Sequence, residues 1–138
     1  MSATALIADI GGTNARFGIV DAQGTHDLMY LACQDYTGPA EAAEAYFQKV
    51  GIRNRPQAGV VAVAGPVEDD LINFTNIQWT FRRSRLMQDL KLSSLEVMND
   101  FKAVALAVPG IAPELLQKIG GGEIIPERSM GVIGPGTG

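Results

Sequence analysis

One cysteine, one histidine and one tryptophan occur in the 138 residues, and each scarcity closes off a class of chemistry. Cys33 alone cannot build an internal disulfide framework, so a reducing compartment is expected. Its thiol reads as a small apolar packing group. His26 reads as solvent-exposed in a polar turn between two strands, and no His and Cys cluster has metal-ligand spacing. No Ser, His and Asp set stands in a supporting motif. The pattern GxxxxGK[ST] is missing, which excludes a P-loop protein. Long hydrophobic runs are missing too: the most apolar stretches, 59–67 and 101–108, are far too short to cross a bilayer. The first residues lack a basic segment, and Asp9 interrupts the opening apolar run, so neither a targeting peptide nor a membrane partner is expected. In that setting Asn73-Phe74-Thr75 is a chance glycosylation match, and a cytoplasmic location follows by elimination. Basic charge is scarce: 11 Lys and Arg face 15 Asp and Glu, a net charge of −4. A nucleic-acid partner is therefore not expected, and Arg82, Arg83 and Arg85 read as a solvated helix start.

What is present suits a single folded domain. Hydrophobic residues make up 46% and charged residues 19%, enough apolar material for a core at a one-domain length. The apolar runs 5–10 and 15–20 flank Gly11-Gly12-Thr13-Asn14, and read as two strands joined by a turn in which glycine and asparagine tolerate positive φ. A second turn is expected at 21–24 and a third strand at 28–34. Over 39–50 the period changes. Ala42, Ala43, Tyr46, Phe47 and Val50 fall three and four apart, which predicts a helix with Pro39 in its first turn and Gly51 after its end. The β-branched run 59–64 suits a strand covered on both faces. A short hairpin is expected within 71–80, a helix over 84–90 with Leu86, Met87 and Leu90 facing inward, a strand at 95–98, helices over 101–108 and 113–119, and a last strand at 130–133. Gly120-Gly121-Gly122 reads as a loop. Three strands followed by alternating helices and strands make an α/β domain, a mixed β-sheet with flanking helices.

Three segments carry candidate chemistry. In Asp9-Ile10-Gly11-Gly12-Thr13-Asn14-Ala15-Arg16, two glycines let backbone N–H groups converge on an anion, with Thr13 and Asn14 adding donors. Asp9 at a strand end suits a hydrated Mg²⁺ beside a phosphate tail. A plain hairpin turn accounts for the same residues and is the simpler account of Gly-Gly alone. In Glu96-Val97-Met98-Asn99-Asp100-Phe101-Lys102-Ala103, Asn99 and Asp100 fall where a strand meets a helix, the place where α/β sheets gather ligands. A carboxylate there suits a general base, and an asparagine amide suits neighbouring hydroxyls. A helix N-cap, worth about 1 kcal/mol, explains the local sequence more simply. Gly134-Pro135-Gly136-Thr137-Gly138, after a hydrophobic stretch, is a second glycine-rich phosphate cradle in form, although many strands end in such turns. Gly65-Pro66-Val67 and Thr75-Asn76-Ile77-Gln78-Trp79 are lesser candidates, with Trp79 read as a core or edge anchor.

In this order and spacing the segments resemble the bacterial glucokinase family, across essentially the whole chain. Residues 9–16 look like its first phosphate motif, Thr75-Asn76 with Trp79 like its Thr-Asn-x-x-Trp segment, Asn99-Asp100-Phe101 with Ala103 like its sugar and catalytic motif, and 134–138 like its second phosphate motif. The resemblance implies a ribonuclease H-like, actin-like ATPase fold and an ATP-dependent kinase that phosphorylates glucose at its 6-hydroxyl, with ATP and Mg²⁺. It implies Asp100 as the base and Asn99 and Asn76 as sugar contacts. Gly11, Gly12, Thr13 and Asn14 would line the phosphates, Gly136, Thr137 and Gly138 would approach them from the other side, and Asp9 would reach the metal through water. It also implies a larger C-terminal domain beyond residue 138, so that residues 1–138 would be an N-terminal domain, nearly inactive alone. The apolar surface so exposed would favour self-association into a homodimer. A non-catalytic sugar-responsive regulator on the same scaffold is the alternative, disfavoured because only four residues precede Ala5. A purely structural domain, with every motif a turn or cap, is the third reading.

Overall fold

The computed structural model describes residues 4–74 and 77–134. Among them a five-stranded mixed sheet runs in the order β3-β2-β1-β4-β7, built from β1 (Ala5–Ile10), β2 (Asn14–Asp21), β3 (Gly24–Ala32), β4 (Ala58–Val63) and β7 (Ser94–Asn99). β1, β2 and β3 are an antiparallel meander, while β4 lies parallel to both β1 and β7. A two-stranded antiparallel ribbon, β5 (Leu71–Asn73) with β6 (Thr80–Arg82), lies apart from this sheet.

The period-2 pattern decides which face is packed. Leu6, Ala8 and Ile10 of β1 stand in register with Ile19, Phe17 and Ala15 of β2 and with Gly59, Val61 and Val63 of β4. All of these residues are buried. Helix α1 (Pro39–Val50) lays Ala42, Ala43, Tyr46 and Phe47 into the same core. The Tyr46 and Phe17 rings stack at 5.5 Å between centroids. Glu41 reaches back to accept from the Thr37 backbone N–H at 2.7 Å and its hydroxyl at 2.6 Å, supplying the helix start that Gly38 cannot cap with a side chain. Helix α2 (Arg83–Asp89) contributes Leu86, with Leu90 just beyond its end. Its cap comes from afar: the Asp70 carboxylate accepts from the Ser84 N–H and hydroxyl, both at 2.8 Å.

Several expectations are corrected. The third strand begins at Gly24, not at residue 28, so His26 lies within a strand rather than in a turn. It is still partly exposed, between Asp27 at 2.9 Å and Asp21 at 3.1 Å. The run 59–64 is covered on one face only: Val60 is 38% exposed while Val61 and Val63 are buried. Both described helices before β7 serve one side of the sheet. Met87 is half-buried, whereas Leu86 and Leu90 are buried as expected. The helix expected at 101–108 is present as α3 (Asp100–Ala107), yet none of its residues is buried. The expected helix at 113–119 shrinks to one 3-10 turn, Pro113–Leu115. Residues 130–133 form no strand, and Met130 and Ile133 are exposed. A strand needs a paired neighbour and a covered face, and this segment has neither among the described residues.

Candidate functional site

The parallel half of the sheet aligns three strand ends. Ile10, Val63 and Asn99 occupy one register row across β1, β4 and β7. The next N–H, that of Ala64, donates to the Ile10 carbonyl at 3.1 Å and carries the alignment one residue further. Gly11, Gly65 and Asp100 therefore leave the sheet at a common edge, with β1 and β7 two strand spacings apart, about 10 Å. This is the carboxyl edge at which ligands collect in α/β sheets.

The turn after β1 is closed by its own backbone: the Gly11 N–H donates to the Asn14 carbonyl at 3.0 Å, and the Thr13 carbonyl accepts from the Cys33 N–H at 2.8 Å. None of Gly11, Gly12 and Asn14 adopts a left-handed φ, which corrects the positive-φ turn expected there. A Cβ built on Gly11 would lie 3.5 Å from the Asn14 carbonyl oxygen, an ordinary contact. Neither conformation nor packing therefore requires glycine at position 11. The Gly12 and Thr13 N–H groups and the Thr13 and Asn14 side chains make no hydrogen bond with the described residues. Thr13 and Asn14 are exposed. Asp9 is exposed on the less covered face, directly opposite Arg16. The Arg16 guanidinium instead lies 4.6 Å over the Tyr30 ring, and Asp9 makes no ion pair among the described residues. No group of three or more His, Cys, Asp and Glu residues is placed to hold a metal ion among them.

The end of β7 is wired differently. Asn99 is the N-cap of α3: its carbonyl oxygen accepts from the Phe101 N–H at 3.0 Å and the Lys102 N–H at 3.2 Å. Its amide nitrogen donates to the Gly65 carbonyl and to Asp100 Oδ1, each at 3.0 Å. Asp100 is the first helical residue, and its Oδ1 also accepts from the Phe101 N–H at 2.8 Å. The cap foreseen in the sequence is thus real and belongs to Asn99. Gly65 holds φ at 155°, where a side chain is strained, so its carbonyl direction depends on glycine.

Other expected residues are placed as follows. Trp79 is buried, donates its indole N–H to the Tyr36 carbonyl at 3.0 Å and meets Phe74 edge-on, in keeping with an anchor. Cys33 is buried with its Sγ 3.8 Å from the Gly11 carbonyl, and burial pushes its thiol pKa up, as suits a packing group. Asn76, Gly136, Thr137 and Gly138 lie outside the described residues. Gly134 lies beside α3, where a Cβ would fall 2.5 Å from the Phe101 ring. The second glycine-rich segment therefore begins next to the residue that follows Asp100. Unforeseen is an open cavity of about 610 Å³ bordered by Gly12, Thr13, Gln34, Thr37, Gln78 and Trp79. The polar run Gln34-Asp35-Tyr36-Thr37 ahead of Pro39 was the available signal. It carries no motif spacing, and its first residue, Gln34, falls at the end of the expected third strand.

The model of the family described as Glucokinase matches residues 6–138. A glucokinase of Paramagnetospirillum magneticum is 43% identical, over the whole of this chain and 43% of its own length. One from Chromohalobacter salexigens is 40% identical, over the whole chain and 44% of its own. The chain thus spans about two fifths of the length of these curated relatives. The crystal structure of a glucokinase from an Antarctic psychrotroph superposes with a TM-score of 0.74 at 33% identity, covering 81% of this chain and 37% of that one. The Balamuthia mandrillaris glucokinase, solved with glucose, shares the fold at a TM-score of 0.57 and 18% identity, over 78% of this chain and 32% of that one. The fold is the actin-like ATPase and sugar-kinase fold of these neighbours. One family model along nearly every residue, and relatives of one name along all of them, place this chain in the glucokinase family.

Proposed function

We propose that the chain carries the nucleotide-phosphate turn and the acceptor-side carboxylate of an ATP-dependent glucose kinase. The observation that supports this reading most is the turn at 11–14: a glycine that no described neighbour requires, beside N–H and side-chain donors left unspent among the described residues, at the edge shared with Asp100. Backbone N–H groups converging in such a turn suit phosphate oxygens. Asp100 accepts the proton of the glucose 6-hydroxyl as the oxygen bonds to the γ-phosphorus, the bond between γ-phosphorus and bridging oxygen breaks, and ADP leaves with that oxygen. Oδ2 makes no hydrogen bond with the described residues and is the oxygen free for the proton. Asn76 contacts the sugar, and Gly136, Thr137 and Gly138 close on the phosphates from the far side.

An exposed carboxylate with no ion pair among the described residues fits a hydrated Mg²⁺ that arrives with the nucleotide, since Mg²⁺ keeps several waters and takes one or two carboxylates besides phosphate oxygens. Asp9 would hold it through water; the bound ion would neutralise charge on the transferring phosphoryl group.

The test compares this chain as it stands with the chain continued by the part of the Paramagnetospirillum magneticum relative beyond the matched region. Glucose-dependent ADP release is measured in each. Changing Asp100→Ala in the active form is expected to lower the rate by about 10²–10⁴-fold; an unchanged rate would sink the reading.

A further inference from the structure

The end of the β2–β3 hairpin away from the turn at 11–14 carries a cluster that the candidate site does not use. The register of the pair shifts there: Phe17 stands opposite Met29, and Ile19 opposite His26. Gly18 of β2 therefore faces two residues of β3, Asp27 and Leu28, which makes a β-bulge. Asp27 holds φ at 55°, in the left-handed region that residues with a Cβ seldom adopt. Leu28 folds over Gly18, where a Cβ would lie 2.7 Å from its Cδ2. Two sets of contacts hold the bulge. From α1 the Tyr46 hydroxyl donates to the Asp27 carbonyl at 3.0 Å. Within the hairpin, His26 lies between two carboxylates, with Nδ1 2.9 Å from Asp27 Oδ2 and Nε2 3.1 Å from Asp21 Oδ2. The other oxygen of Asp21 accepts from the Gln23 N–H at 2.8 Å and shapes the turn.

A neutral imidazole has one N–H donor and one bare nitrogen, whereas ionised carboxylates only accept. Both contacts are hydrogen bonds only when both ring nitrogens carry protons. Loss of one proton turns a nitrogen lone pair toward a carboxylate and leaves two negative charges with no positive charge between them. We propose that Asp21, His26 and Asp27 form a pH-sensitive clasp, in which the imidazolium bridges two carboxylates and keeps the bulge closed, and the neutral ring releases it. The titratable groups placed against this cluster are the two carboxylates, from β2 and β3, and the Tyr46 phenol of α1. Burial, aided by the charge of Asp27, pushes the Tyr46 pKa up to about 12, so the phenol keeps its proton through the neutral range. The hydrogen bond to Asp27, and then that to Asp21, raises the imidazole above its ordinary 6.5. A group raised in the folded state contributes stability that is complete below the unfolded value and is lost as pH rises through the folded one. The clasp is therefore closed below 6.5 and opens as pH climbs above it. The inference is independent of the reaction the chain takes part in.

His26 is the one histidine among the 138 residues, so its ring protons can be followed by NMR in this chain without ambiguity. The titration midpoint is expected above 6.5, and Asp21→Asn and Asp27→Asn should each move it down. The closing of the bulge is read separately, from amide protection factors, which compare observed exchange with the intrinsic rate at the same pH. Protection across residues 26–29 should fall about two- to fivefold as the ring loses its proton, the range that exposed ion pairs supply, while protection in β4 stays level. His26→Gln should abolish the step. A midpoint at or below 6.5, or one that either Asp variant leaves in place, would overturn the proposal. A raised midpoint with level protection would overturn it too, since the ring would then hold nothing shut. A step that survives in His26→Gln would belong to another group and would overturn it as well.

Discussion

At one edge of the sheet two asparagines stand three strand spacings apart, about 14 Å, Asn14 opening β2 and Asn99 closing β7. Asn14 is exposed, its side chain makes no hydrogen bond with the described residues, and it follows a glycine at position 11 where an alanine would fit. Asn99 is half-buried and spends every donor and acceptor it has on its own protein. The difference separates two reasons for a polar residue at a strand end. At Asn14 the described residues leave donors idle and give no reason for the nearby glycine. At Asn99 the side chain starts α3 and ties it to the loop after β4.

The sharpest way to break this contrast is Asn99→Ala, which deletes all four bonds and takes from the Gly65 carbonyl and the Lys102 N–H their partner. The expected cost is about 1–2 kcal/mol, read as a lower urea midpoint. A cost below about 0.5 kcal/mol would mean the amide is not held as described. Next come Gly11→Ala and Thr13→Ala. Both should leave stability within about 0.5 kcal/mol, because among the described residues no side-chain hydrogen bond is lost and the Gly11 site has room for a methyl group. Both should nonetheless weaken binding of inorganic tripolyphosphate by about tenfold, since the methyl group enters, or the hydroxyl leaves, the space of the anion. A stability loss as large as that of Asn99→Ala, with anion binding intact, would erase the distinction.

The smallest effect compares two helix starts. α3 begins on an amide, whereas α2 begins on the Asp70 carboxylate. Hydrogen bonds from the Ser84 backbone and hydroxyl lower the Asp70 pKa below its ordinary value of 3.8, with Arg82 at 3.6 Å adding to the effect. A depressed folded-state pKa contributes stability above the unfolded value, and the contribution is lost as pH falls through the folded one. Amide exchange in the first turn of α2 should therefore quicken, relative to that of α3, as pH is lowered below about 3.8. Asp70→Asn should remove that pH dependence.

Local chemistry was legible along much of the chain. The helix from Pro39 to Val50 could be read from three- and four-residue spacing, a proline at its start and Gly51 past its end, all contained in one window. The first two strands and the strand-to-helix junction at Asn99 were equally local. The mixed sheet with flanking helices followed from element order. The segments that proved to share an edge, the turn after β1 and the junction after β7, were singled out by residue type at strand ends, and only the motif resemblance joined them into one site. What could not be read locally was every property supplied by a distant partner. The run 59–64 looks fit for burial on both sides, yet only one face meets α1 and α2, so Val60 is exposed. Residues 130–133 have the composition of a strand but no neighbour to pair with among the described residues.

The amino-acid sequence by itself determined the periods, the cap of α3 and the family, because each depends on residues within a few positions of one another or on motifs in fixed order. The tertiary structure alone decided which faces are covered, that Asp70 caps a helix starting 13 residues later, and that Asn99 is bound to Gly65 across the parallel strands. A period states which side chains share a face. What lies on that face, and which backbone group waits at the end of a side chain, is contributed by chain remote in sequence and is settled only when the strands come into register.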